Sequence, residues 1–164
     1  MDTQITQEHY ELFFSKNSEY YLEVLKKKDE NKTSFNFSAF LFGPFWMVYR
    51  KMYLYAIIFL CFVIIETLLE DFVLQNYFPT YNPKGIQSAI TIGIAMGMGY
   101  SSNWFYLNFA KSKIQKILNN TNDQNSTEQI KIQGGVSWIP VIILLSIIIG
   151  IILLALYADG YFNV

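Results

Sequence analysis

Between Trp138 and Tyr157 the chain runs for 20 residues without a charge: WIPVIILLSIIIGIILLALY. A helix of that length covers roughly 30 Å, the thickness of a bilayer's hydrocarbon core. A membrane is therefore the solvent this chain is expected to meet. Pro140 fits near the start of the segment, because a first-turn N–H has no intrahelical partner to lose.

Two further stretches follow the same logic. Tyr53 to Leu74 gives 22 residues, apolar except near its end, and Ile86 to Phe109 gives a less oily run with Ser101, Ser102 and Asn103. Spans are thus predicted at about 53–74, 86–109 and 138–157. Ahead of them, residues 35–52 hold Phe35, Phe37, Phe40, Phe42, Phe45, Trp46 and Tyr49 beside Arg50 and Lys51. The run is too short to span and is interrupted by Gly43-Pro44. Rings next to basic residues suit the headgroup zone, so it reads as an interfacial helix. An alternative joins 35–53 to the first span as one broken helix, with the same topology.

Residues 1–34 are polar, with Lys26, Lys27 and Lys28 in a row and no secretory pattern, so the N-terminus is expected to be retained. Within this arm Gln7–Ser15 and Ser18–Lys28 read as short helices, the second capped by Asn17 or Ser18. The segment 119–135, NNTNDQNSTEQIKIQGG, lacks an apolar period and reads as a mobile polar linker. The predicted fold class is all-α. It is an integral membrane protein with three transmembrane helices, an interfacial aromatic helix on the cytoplasmic side and a helical N-terminal arm (1–34) ahead of a membrane domain (35–164).

Basic residues set the orientation. Of 12 in the chain, all but Lys84 fall before the first span or between the second and third. The positive-inside rule then puts the N-terminus and the second loop in the cytoplasm and the C-terminus outside.

The net charge of −1 gives no electrostatic reason to expect nucleic acid. One Cys and one His exclude an intramolecular disulfide and leave too few ligands for the common zinc sites. Cys61 lies among apolar residues with no activating base, and His9 stands alone in the polar arm. The glycines of GIAMGMG do not have dinucleotide-binding spacing. No catalytic residue, cofactor or metal is expected, and the chain reads as a non-enzyme.

Several residues remain as structural or interaction candidates. Glu66, inside the first span, is either in the headgroups by helix tilt, a hydrogen-bonding partner between helices, or a proton or ion site. Ala89, Gly93, Gly97 and Ser101 recur every four residues, a flat strip expected to pack against another helix of the same chain. Asn103, with Tyr106 on a similar face, reads as a buried hydrogen-bonding residue first and a ligand contact second. Arg50 and Lys51, with Lys111, Lys113 and Lys116, form a basic rim. It is expected to meet anionic lipid headgroups at roughly 1 kcal/mol per basic residue.

Three strings carry a family resemblance: Asn17-Ser18-Glu19-Tyr20-Tyr21, the run from Phe35 to Trp46 with its Phe42-Gly43-Pro44-Phe45-Trp46 end, and Tyr49-Arg50-Lys51-Met52-Tyr53. A later Gly99…Asn103…Tyr106 element completes the pattern. Over roughly residues 10–116 the chain resembles a family of small bacterial membrane proteins, domain of unknown function 2628. The resemblance implies a bacterial inner-membrane protein and no reaction. The expected role is an accessory or interaction module acting through its cytoplasmic face, with a membrane protein or a second copy as partner. The alternative is an oligomeric channel or transporter subunit in which Glu66 and Asn103 line a polar pathway.

Overall fold

The computed structural model describes residues 4–78, 84–120 and 123–158. They form eight helices, and no strand occurs among the described residues. In chain order these are α1 (Gln7–Phe14), α2 (Ser18–Asp29), α3 (Phe37–Phe42), α4 (Pro44–Tyr49), α5 (Tyr53–Tyr77), α6 (Lys84–Asn120), α7 (Asp123–Gln133) and α8 (Ile139–Ala158). The expected outer loop (79–83) and the C-terminal tail (159–164) lie outside the described residues.

The arm folds as its pattern predicts. The hydroxyl of Thr6 accepts from the His9 N–H, and His9 Nδ1 accepts from the Thr6 N–H at 3.1 Å. This reciprocal box starts α1 and gives the chain's single histidine a capping role. Tyr10, Phe13 and Phe14 then face inward, as do Tyr21 and Val24 of α2. Asn17 precedes α2 in the left-handed region (φ 63°) and caps with its backbone position alone.

The single interfacial helix expected over 35–52 is instead two short ones. Pro44 has no N–H with which to continue α3, and Gly43 takes φ +47°, a conformation that side chains disfavour, so the axis changes there. The linker expectation is also corrected. Residues 123–133 form α7, which packs on α1 and α6. One fully buried residue, Ile130, supplies its anchor, too little apolar content to register as a period.

Of the three expected spans, α8 is the helix long and apolar enough by itself to cross a membrane. Helix α5 extends the 53–74 prediction to Tyr77 and carries Glu66, Glu70 and Asp71 in its second half. Helix α6 runs 37 residues, about 55 Å, well past the expected end at 109. Its first half is largely exposed. Its second half buries Asn103, Tyr106, Leu107, Ala110, Ile114 and Ile117.

One core joins the arm to the rest: α1, α2, α4 and the second half of α6, with Ala56 at the start of α5, Ile130 of α7 and Val141 of α8. Away from it, α5 and α8 present largely apolar surface, which on α5 gives way to Glu66, Glu70 and Asp71 in the second half. Leu54, Ile57, Ile58, Ile64, Leu68, Ile142, Ile149 and Leu154 are each more than half exposed.

Candidate functional site

The centre of the head is Arg50, 3% exposed, at the C-terminal end of α4. Its Nη1 donates to the carbonyl of Phe14 (3.1 Å) and to the Tyr106 hydroxyl (3.4 Å), and its Nη2 donates to the carbonyl of Lys16 (3.0 Å). Phe14 closes α1, so its carbonyl lies at the negative end of that helix dipole. The guanidinium carbon stands 4.5 Å from the Tyr21 ring centre and 5.2 Å from that of Tyr106. Aromatic faces and helix-end carbonyls thus hold this cation where a carboxylate would be usual. Its Nε is buried with no hydrogen-bond partner.

Tyr106, fully buried, is the hub beneath it. Its ring packs on Phe13, Phe14, Tyr21 and, edge-on, Trp46 at 5.9 Å. Burial raises the pKa of Tyr21 above its ordinary value, while the Arg50 charge pulls it down.

One turn earlier on α6, Asn103 is 2% exposed and fully used. It accepts from Asn36 Nδ2 (2.9 Å), and its own Nδ2 donates to the Tyr20 hydroxyl (2.9 Å) and the Ser34 hydroxyl (3.0 Å). Asn36 in turn accepts from the Ala39 N–H to cap α3 and donates its backbone N–H to the carbonyl of Gly99 (2.8 Å). A Cβ on Gly99 would overlap the Phe35 ring. The Gly99, Asn103 and Tyr106 spacing therefore seats, in order, the Phe35–Asn36 backbone, the polar network and the arginine hub.

Lys51 adopts φ 60° and sends Nζ to the carbonyls of Ile132 (2.9 Å) and Gly134 (2.6 Å). This cation caps the C-terminus of α7. Arg50 and Lys51 are thus turned to backbone carbonyls within the head, and the expected exposed rim retains Lys111 and Lys116.

The remaining candidates lie elsewhere. Half-buried Glu66 lines a groove of about 450 Å³ with Glu70, Gln87 and Thr91, whereas Asn103 lines a different cavity with Lys28, Ser34 and Trp104. The shared pathway of Glu66 and Asn103 is therefore not formed within the chain, because Asn103 is committed to Asn36, Tyr20 and Ser34. Among the described residues none closes on the small-residue strip at its glycines: a Cβ at Gly93 or Gly97 would meet nothing within 4 Å.

Sequence reasoning passed over Phe14, Lys16, Asn36 and Trp138. The Trp138 ring packs against that of Tyr49 at 4.8 Å, tilted by 52°, and the Ser137 N–H donates to the Tyr49 carbonyl, which ties the foot of α8 to α4. Together with Arg50, Lys16, Trp46, Val141 and Leu145 these rings line a cavity of about 560 Å³.

A family model described as protein of unknown function (DUF2628) matches residues 7–111, which hold the arginine hub and the Asn103 network but not α7 or α8. No curated protein and no solved structure matches the chain.

Proposed function

The chain belongs to this family of unknown function, and we propose that it is a three-span protein of the bacterial inner membrane with a cytoplasmic head that serves as a non-enzymatic interaction module. One observation carries the topology. The Gly135 N–H donates to the Phe13 carbonyl at 2.7 Å, and α7 packs on α1. Two segments on one side of a membrane need an even number of crossings between them, and α5 with the first half of α6 supplies two. Charge counting puts the same two segments together by an independent route. The exposed apolar faces of α5 and α8 are far larger than a soluble monomer tolerates, and lipid would cover them. Helix α8 then carries the C-terminus outside.

Polar chemistry in the head supports assembly in place of turnover. Asn103 and Lys51 turn their donors, and Arg50 three of its five, to other parts of the same chain, and a module of this kind offers a partner a preformed surface. Reporters active only outside the membrane, fused after Phe78 and after Ala158, are expected to be active, and one fused after Gln133 inactive. Equal activity at Phe78 and Gln133 would overturn the topology.

A second reading, assembly of several copies, is favoured by the open Gly93–Gly97 strip, where a second α6 finds room for close approach. Native mass in detergent decides it: a strict monomer removes this reading.

A further inference from the structure

We propose that the cavity between Arg50 and the foot of α8 seats the headgroup of one anionic phospholipid. The seat deepens the reading of a cytoplasmic head on three spans and rests on it.

The cavity has both a polar and an apolar lining. Lys16, Asn17, Ser38 and Arg50 line the first, while Val141 and Leu145 of α8 belong to the second. No acidic side chain lines it. Two cations with no counter-ion therefore face one volume, and the ion pairs among the described residues, Lys27–Glu23 and Lys32–Glu30, involve neither. The carbonyls and rings around Arg50 offset its desolvation without neutralising its charge, and an anion in the cavity would complete that compensation.

Arg50 also has unused donors. Three of its five N–H groups are taken by Phe14, Tyr106 and Lys16, which leaves Nε–H and one Nη2–H. The buried Nε lies out of reach of an anion in the cavity, so Arg50 acts there through its charge, with the remaining Nη2–H as the one donor left to it.

The cavity's level selects a lipid over a free anion. It opens at the first turns of α8, where the Trp138 and Tyr49 rings lie side by side in the manner of an interfacial belt. Val141 and Leu145 continue from it along the apolar helix, giving acyl chains a surface that a soluble anion does not use. At about 560 Å³ it falls within the size range of small-molecule sites.

The test is native mass spectrometry of the full chain released from nanodiscs holding phosphatidylglycerol and phosphatidylcholine in equal amounts. One retained phosphatidylglycerol is expected, in preference to the zwitterionic lipid. Arg50 also supports the fold, so two surface variants carry the comparison. Ser38→Glu puts a like charge on the polar lining, and Leu145→Trp crowds the apolar lining; both positions are exposed. Each is expected to lower retention at least about tenfold, whereas Ser38→Lys preserves it. Equal retention of both lipids, or retention untouched by Ser38→Glu and Leu145→Trp, overturns the seat. Displacement of the lipid by millimolar inorganic phosphate would assign the site to a free anion and overturn it as well. Outside-active reporters on the same variants separate the two levels. Expected topology without lipid preference rejects the seat alone, and reversed topology rejects both.

Discussion

The guanidinium carbon of Arg50 stands over the Tyr21 ring, 4.5 Å from its centre, and neither residue has a carboxylate partner among the described residues. The cation is held instead by the last carbonyl of α1 and by that of Lys16, so the arm is docked through an arginine 36 residues downstream of Phe14. Charge and aromatic packing act on one contact here.

Removing that arginine leaves two carbonyls without a donor. At about 1–3 kcal/mol for each unsatisfied buried group, Arg50→Met is expected to lower head stability by about 3 kcal/mol. Arg50→Lys keeps the charge but not the planar fork, and is expected to recover less than half of the loss. Denaturant unfolding in detergent, followed by the fluorescence of buried Trp46, measures both.

Asn103 and Tyr20 form a coupled pair through the 2.9 Å bond between them. Asn103→Ala is expected to cost about 2 kcal/mol and Tyr20→Phe about 1 kcal/mol. The double variant should cost less than the two together by about 0.5 kcal/mol or more, because the shared bond is lost only once. Strict additivity in the cycle would mean that the bond contributes nothing.

Lys51 offers a separation of backbone from side chain. Lys51→Met loses both carbonyl contacts and keeps the left-handed backbone. Lys51→Gly loses the same contacts but relieves about 1 kcal/mol of conformational strain. The glycine variant is therefore expected to be the more stable of the two, by thermal unfolding, with protease cleavage of α7 rising in both.

Glycines of one sequence class should respond oppositely. At Gly134 an added Cβ collides with the Phe13 backbone, which has no side-chain freedom to yield, so Gly134→Ala is expected to destabilise by about 1–3 kcal/mol. At Gly97 the space is open, and Gly97→Ala should gain roughly 0.5 kcal/mol of helix propensity. A loss of native mass in Gly97→Ala, with stability intact, would show that a second copy uses the strip.

Much of this was legible before the structure. The arm helices appear where the caps and apolar spacing put them, and α8 announces itself by composition. Asn103 was readable as a buried hydrogen-bonding residue because an amide deep in an apolar helix needs partners. Its partners Asn36, Tyr20 and Ser34 were not readable, since they come from segments almost 70 residues or more away. Arg50 misled in a specific way. A basic residue beside a span normally extends to the headgroups, and no local signal announces that α1 will deliver its carbonyl end over it. Helix α7 was invisible because Ile130 is the one buried apolar residue described on it and a lysine from another element closes it.

Alkaline pH tests the aromatic hub directly. Burial raises the pKa of Tyr21 above 10.0, and that of Tyr10 shifts the same way from burial and the nearby Asp29 charge. Unfolding lets both ionise at the ordinary value, so their contribution is complete below about pH 10 and is lost as pH rises through the folded values. Stability should fall above pH 10, with phenolate absorbance rising together with unfolding. Tyr21→Phe is expected to flatten the dependence.

The contacts among Phe13, Lys51 and residues 132–135 also set an order of assembly. Gly135 bonds to the carbonyl of Phe13, and Lys51 closes on Ile132 and Gly134. None of these bonds exists until the chain has been synthesised past residue 135, when α5 and α6 are already complete. During translation the arm waits, with Phe13 and Phe14 lacking their final cover, while the two long helices α5 and α6 are made. Under the proposed topology, closing the head is thus a report that α5 and α6 ended on the correct side, since a misrouted α6 would leave α7 across the membrane from α1.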